Sequence, residues 1–94
     1  MKTRCITNAN GEEVCKADYM TDKEGNAVVI QLDTPEKHRG KGHARNLLQK
    51  IGTEDTKKDL RVIANAHAAP YYRDKLKYKE IAPYVFSKNF HHDD

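Results

Sequence analysis

An apolar run that passes at once into a basic, glycine-containing turn and then an amphipathic helix constrains this chain more than any other feature. Ala27-Val28-Val29-Ile30-Gln31-Leu32 is nearly continuous in apolar side chains, as in a strand at the centre of a sheet. Asp33-Thr34-Pro35-Glu36 then turns the chain. Lys37-His38-Arg39-Gly40-Lys41-Gly42-His43 follows, and after it Ala44, Leu47, Leu48 and Ile51 recur at the spacing of one helix face. This predicts a helix from about Lys41 to Ile51, with Gly52 as its C-terminal cap. A strand, a turn and a helix in that order leave backbone N–H groups free at the helix start, where the helix dipole also favours an anion. We read the turn as a diphosphate cradle. Backbone amides from about Gly40 to Ala44 would be the donors. Gly40 and Gly42 would let the backbone approach closely, and Arg39, Lys41 and Arg45 would offset the charge. The same residues also fit a glycine turn before an ordinary helix with solvated basic side chains.

The rest of the chain arranges itself around that unit. Residues 2–7 (KTRCIT) and Glu12 to Met20 read as two strands joined near Asn8-Ala9-Asn10-Gly11. A three-residue loop there would set Cys5 opposite Cys15 on one sheet face, where a disulfide is conceivable and reduced thiols are the expectation for a cytosolic chain. The breaker-rich stretch Thr21 to Asn26 returns the next strand antiparallel. Leu60 to Asn65 reads as a fourth strand, parallel to the third across the helix. Pro70 to Lys77 reads as a second helix, with Pro70 in its first turn and Tyr72 and Leu76 on one face. Ile81 to Phe86 reads as a last strand, with Pro83 placing it at an edge or a bulge. The expected fold class is α+β: a mixed sheet in the order β-β-β-α-β-α-β, with antiparallel N-terminal strands and two helices packed on the sheet. At 94 residues it should be one domain, residues 1–94, ending in a flexible tail from Ser87 to Asp94. Terminal His91, His92, Asp93 and Asp94 read as part of that solvated tail rather than a metal site.

Charge narrows the function classes. There are 17 basic and 14 acidic side chains, a net charge of +3, so the chain as a whole lacks the strongly basic balance of a nucleic-acid binder. The local cluster Lys37 to Arg45 has no interleaved aromatic residues, as a single-strand platform would need. No run approaches the ~18 apolar residues of a membrane span, and no apolar leader is read near Met1, so the cytoplasm is the expected location. A dinucleotide fingerprint would need a third glycine at Arg45, and no P-loop run is present.

Arg39-Gly40-Lys41-Gly42-His43-Ala44 resembles the Q/R-x-x-G-x-G/A signature of the GNAT superfamily, the acetyl-coenzyme A-dependent N-acetyltransferases. The strand before it, the Pro35-Glu36 turn and the Leu47-Leu48 pair are similar to that family's cofactor-binding segment. Ala68 and the Tyr71-Tyr72 pair resemble its second helix, which lies beside the pantetheine arm of the cofactor. The resemblance covers about residues 27–86, and the chain is most like the very short, minimal GNAT-like proteins. It departs from larger members in its short N-terminal side and in Lys77-Tyr78, where they carry a glycine-aromatic pair.

The resemblance implies acetyl-coenzyme A or coenzyme A as cofactor, contacted by Leu32, Arg39, Gly40, Lys41, Gly42, His43, Ala44, Arg45 and Asn65. It implies acetyl transfer to a primary amine of a small molecule or a protein. Tyr72 is then the leading candidate for the acid that protonates the departing thiolate, with Tyr71 as its rival. His67 is a candidate base because an imidazole ordinarily titrates near neutrality, and a solvated loop histidine is the reading favoured over it. The alternative is a catalytically weak or inactive protein that holds coenzyme A, a macromolecular partner, or both.

Overall fold

The computed structural model of the chain describes residues 1–91. Along the chain run β1 (Lys2–Thr7), β2 (Glu13–Thr21), β3 (Ala27–Asp33), α1 (His43–Glu54), β4 (Asp59–Ile63), β5 (Lys79–Ala82) and β6 (Val85–Asn89). The six strands form one sheet in the spatial order β1-β2-β3-β4-β6-β5. Among the described residues only β3 and β4 pair parallel, across the α1 crossover, and every other pairing is antiparallel. The order among the described residues is therefore β-β-β-α-β-β-β. This corrects the expected β-β-β-α-β-α-β order and differs from the two-helix arrangement that the resemblance implies.

Two local features account for the difference. Residues 70–77 do not make an α-helix. They form one widened turn, Tyr71–Lys75, in which the Leu76 N–H donates to the Tyr71 carbonyl at 3.0 Å and the Tyr78 N–H to the Tyr72 carbonyl at 2.9 Å. The wide turn allows Tyr72, Leu76 and Tyr78 all to be buried, which takes precedence over regular helix geometry. The stretch Ile81 to Phe86 is not one strand but a hairpin. Ala82 pairs with Val85, and Pro83 and Tyr84 form the tip, Tyr84 at φ 61. Pro83 thus sits in the turn rather than within a strand. Ser87–Asn89 complete β6 and Phe90 packs against the core, so the expected flexible tail does not begin at Ser87. His92, Asp93 and Asp94 lie outside the described residues.

Lys77 adopts φ 59, the left-handed conformation that a glycine holds without strain. The sequence departure at Lys77-Tyr78 therefore leaves a glycine-like backbone carrying a lysine. Left-handed backbone costs a residue with a Cβ roughly 1–2 kcal/mol, and glycine returns part of that as unfolded-state entropy. Lys77→Gly is expected to stabilise the protein by about 0.5–1 kcal/mol in chemical denaturation. Lys77→Ala, which keeps the Cβ, should bring no gain.

Helix α1 buries Leu47, Leu48 and Ile51 completely, in one cluster with Cys15, Ala17, Tyr19, Val29, Leu60, Val62 and Phe86. Each such aliphatic side chain contributes about 1.5–3 kcal/mol. Gly52 lies inside α1 rather than capping it, and the helix runs on to Glu54 with Asp55 at its end. Arg4 holds that end by ion pairs to Glu54 and to Asp55 at 3.1 Å, and the Tyr19 hydroxyl donates to Asp55. Arg4 offsets two carboxylates placed where the helix dipole disfavours them.

The hairpin between β1 and β2 turns through Ala9, Asn10 and Gly11 as expected, closed by Asn8 N–H donating to the Glu12 carbonyl at 2.9 Å and Gly11 N–H to the Asn8 carbonyl at 3.0 Å. Its register shifts between Ile6 and Thr7, so Ile6 pairs with Cys15 and Cys5 with Lys16. A bulge at Val14 produces that slip. Cys15 is fully buried and Cys5 exposed, both thiols free, so the bulge, and not the loop, keeps them from sharing the face that an unbroken register would have given them.

Buried phenols make the fold sensitive to alkali. Burial, reinforced by the hydrogen bond to Asp55, pushes the Tyr19 phenol up to about 12, and burial drives Tyr72 and Tyr78 well above the usual phenol range. In the unfolded chain all three titrate near 10. Above that pH the folded state holds more protons than the unfolded state, so its stability falls as pH rises. Each phenol contributes at most about 1.4 kcal/mol per pH unit. Full stability is expected below about pH 10, with cooperative unfolding in the two or so units above it. Phenolate absorbance and circular dichroism should report the same transition.

Candidate functional site

The site is built where β3 parts from β4. The two strands pair only from Ala27 opposite Leu60 to Val29 opposite Val62. At the next residue β3 carries a bulge: Tyr19 pairs with Val29 but Asp18 with Gln31, leaving Ile30 as the extra residue. A bulge bends its strand and increases its twist, and here it falls at the point where the parallel pairing ends. The other end of β4 is pinned. Lys57 and Lys58 N–H groups both donate to the Gly25 carbonyl at 2.9 Å, and the buried Asn26 side chain accepts from Asp59 N–H at 3.0 Å. The strands are thus held together at one end and open at the other.

A groove fills the opening. Ile30, Gln31 and Leu32 form one wall, Ile63, Ala64 and Asn65 the other, with Ala68 and Tyr72 also lining it. On this side the backbone of β3 beyond Val29 has no strand partner among the described residues. Asn65 closes the turn after β4, its side-chain oxygen accepting from Ala68 N–H at 2.8 Å. Tyr72 is 4% exposed, stacked on Phe86 with ring centres 5.6 Å apart and edge-on to Tyr71 at 5.4 Å.

Next along both chain segments lies a larger cavity of about 620 Å³ at the start of α1. Gly40, Gly42, His43 and Ala44 line it, together with Arg39, Arg45 and Tyr71. Gly40 and Gly42 have φ 77 and 82, and a Cβ at either would meet no protein atom within 4 Å. Backbone conformation, not packing, therefore calls for glycine at these positions. Gly42 is the N-cap of α1 and offers no side chain to the first-turn amides. Asn46 N–H is bonded to the Gly42 carbonyl at 3.0 Å, so the helical ladder begins there and leaves the earlier amides without helical acceptors. The Arg39 guanidinium is steadied by donation from Nε to the Thr34 carbonyl at 3.0 Å.

Not every residue expected from the sequence reaches this site. Lys41 is exposed and lines neither cavity, and Lys37 is held by Glu12 at 2.8 Å. That contact keeps the Glu12 carboxyl below the usual carboxylate range. His67 is exposed in the turn after β4 and lines neither space, so the structure does not bring it to the site as a base. The two tyrosines divide. Tyr71 faces the basic cavity and Tyr72 the groove. Burial raises both phenols, that of Tyr71 against the opposing pull of Arg45.

Sequence reasoning missed Thr34, Lys75 and Leu76, which also line the basic cavity. Lys75 lies one turn beyond Tyr71, and following that spacing through the charged residues would have found it. Arg39, Arg45 and Lys75 give the cavity its positive character, and no carboxylate is among the described residues that line it. A comparison with protein-family models finds no match, and a comparison with curated proteins finds none either. No helix among the described residues is long and apolar enough to cross a membrane.

Proposed function

We propose that this protein binds acetyl-coenzyme A and transfers its acetyl group to a primary amine of a small molecule or protein. One observation carries the proposal: a cation-lined cavity at an uncapped helix start adjoins, through Leu32 to Thr34 and through Tyr71-Tyr72, a groove with an unpaired strand edge. The cavity suits a diphosphate, with amides, Arg39, Arg45 and Lys75 as donors and open space beyond each glycine. The unpaired edge of β3 suits an extended amide chain, which it can bind as it would a neighbouring strand. Bound acetyl-coenzyme A would supply the acetyl group as a thioester.

Tyr72 stays protonated because burial raises its phenol, so it can donate a hydrogen bond in the groove but cannot act as a base. Its Phe86 and Tyr71 contacts fix the ring that carries the hydroxyl. Among the described residues, no histidine or carboxylate lines the groove. With the described groove residues alone the amine would give up its proton to solvent, and the rate should climb with pH towards the amine's own pKa, about 10.4 for a lysine. A cytoplasmic location belongs to the same proposal, in keeping with the unpaired thiols of Cys5 and Cys15.

Thioester loss measured over a panel of amines tests the activity. Tyr72→Phe keeps the ring packing and is expected to lower kcat about a hundredfold with little change in KM. An unchanged kcat would remove Tyr72 from the chemistry. The lack of a base among the described groove residues also favours a second reading, in which the protein holds coenzyme A without turnover. Saturable binding with no thioester loss for any amine is the result that would select it.

A further inference from the structure

Helix α1 packs on one face of the sheet, where Tyr19, Val29, Val62 and Phe86 form a buried row across β2, β3, β4 and β6. Side chains alternate along a strand, so the rows on either side of this one point to the opposite face. Met20, Val28, Arg61 and Ser87 make one of those rows, and Asp18 opposite Gln31 and Ile63 opposite Val85 lie in the other. Met20 and Ile63 are 50% and 49% exposed, and Ile30, the extra residue of the β3 bulge, is 38% exposed. The same face carries charges of both signs without ionic partners. Arg61 makes no ion pair among the described residues, and its Nε is buried with no hydrogen-bond partner among them. Asp18 accepts from the Thr3 hydroxyl at 2.7 Å and meets no cation among the described residues.

We propose that this face is a dimer interface and that its occupant is a second copy of this chain. Arg61 and Asp18 lie two strands apart, on β4 and β2, on either side of Val28 and Ile30 of β3. A two-fold axis passing over β3, between the two copies, sets each copy's Arg61 against the other's Asp18, as a self-complementary interface requires. Met20, Val28, Ile30 and Ile63 then meet their counterparts around the axis, with the two sheets about 10 Å apart. The carboxylate of the other copy supplies the acceptor that Arg61 lacks within its own chain. A partner of one charge sign would match only half of this face, whereas a second copy matches both halves. Ile30 and Ile63 also wall the groove, so the second copy borders it. Pairing through this face needs no ligand in the groove or in the basic cavity.

Sedimentation equilibrium of the full chain tests it, with the two charges reversed one at a time. The unaltered protein is expected to dimerise with a Kd of about 10 μM or tighter. Arg61→Glu and Asp18→Arg each create like-charge contacts and should weaken association at least about tenfold. Mixed together, these two variants should associate again, because each supplies the charge that the other now needs. Met20→Lys, at an exposed position, places a charge in the apolar centre and should also weaken the dimer; it decides the matter if a charge variant fails to fold. A monomer at about 0.5 mM in the unaltered protein would overturn the proposal. A dimer that every substitution leaves intact would overturn its assignment to this face. Failure of the two charge variants to associate on mixing would overturn the pairing of Arg61 with Asp18.

Discussion

Gly52→Ala is expected to destabilise the protein by about 2–3 kcal/mol, the reverse of what an alanine does in most helices. In an unobstructed helix interior the change gains close to 1 kcal/mol from propensity alone. Here a Cβ on Gly52 would lie 2.2 Å from Phe90 Cδ2 and 2.8 Å from its Cγ. The ring must leave, giving up its edge-to-face contact with Tyr78 and the ammonium of Lys88. A loss of that size should lower the melting temperature by roughly 10 °C or more in a domain of this length. Because the clash is with one side chain, the effect is conditional. In a Phe90→Ala background the same Gly52→Ala change should cost nothing or stabilise slightly, a coupling that a double-mutant cycle reads directly. Additive losses would show that Phe90 is not what requires glycine in α1.

Gly42→Glu is expected to weaken coenzyme A binding at least a hundredfold. The substitution acts in two ways at one position. It places a Cβ and a carboxylate in the open space above the first-turn amides, where like-charge juxtaposition with a diphosphate costs several kcal/mol. It also imposes φ 82 on a residue with a Cβ, a strain of roughly 1–2 kcal/mol. The strain falls on stability and the charge on binding, so a thermal melt separates the two effects. Lys41→Glu provides the comparison. It changes the local charge by more than Gly42→Glu does, yet Lys41 lines neither cavity, so its effect on affinity should be small. Equal losses from the two variants would mean that diffuse charge, not the geometry of the glycine turn, governs binding.

The strand–turn–helix unit was legible in the sequence because each part carries its own local signal. The apolar run marks β3, Gly40 and Gly42 take the left-handed backbone of the turn, and Leu47, Leu48 and Ile51 mark the buried face of α1. The errors lie where long-range packing outweighs local preference. Residues 70–77 look helical one by one, but burying Tyr72, Leu76 and Tyr78 together demands a wider turn than an α-helix provides. Gly52 reads as a helix stop, whereas its purpose is room for Phe90, some forty residues away in sequence, a contact that no local pattern announces. The slip of Cys15 against Ile6 depends on a bulge at Val14, and bulges leave no mark in an alternating pattern that is buried at two successive positions. For the site, the glycine turn carries its own signal and Lys75 does not, because a lysine among Arg73, Asp74 and Lys77 has the pattern of an ordinary solvated face. His67 is distinguished in the sequence by residue type alone, and residue type does not specify which way a turn faces.

The central claim, that the turn from Arg39 to Ala44 cradles the diphosphate of coenzyme A, meets its most direct test in calorimetric titration of the unaltered protein with coenzyme A at low salt. Saturable one-to-one binding, tighter than about 1 mM and weakened by inorganic pyrophosphate as a competitor, is the expected result. No detectable binding with coenzyme A at millimolar concentration, by heat or by a shift in melting temperature, would contradict it.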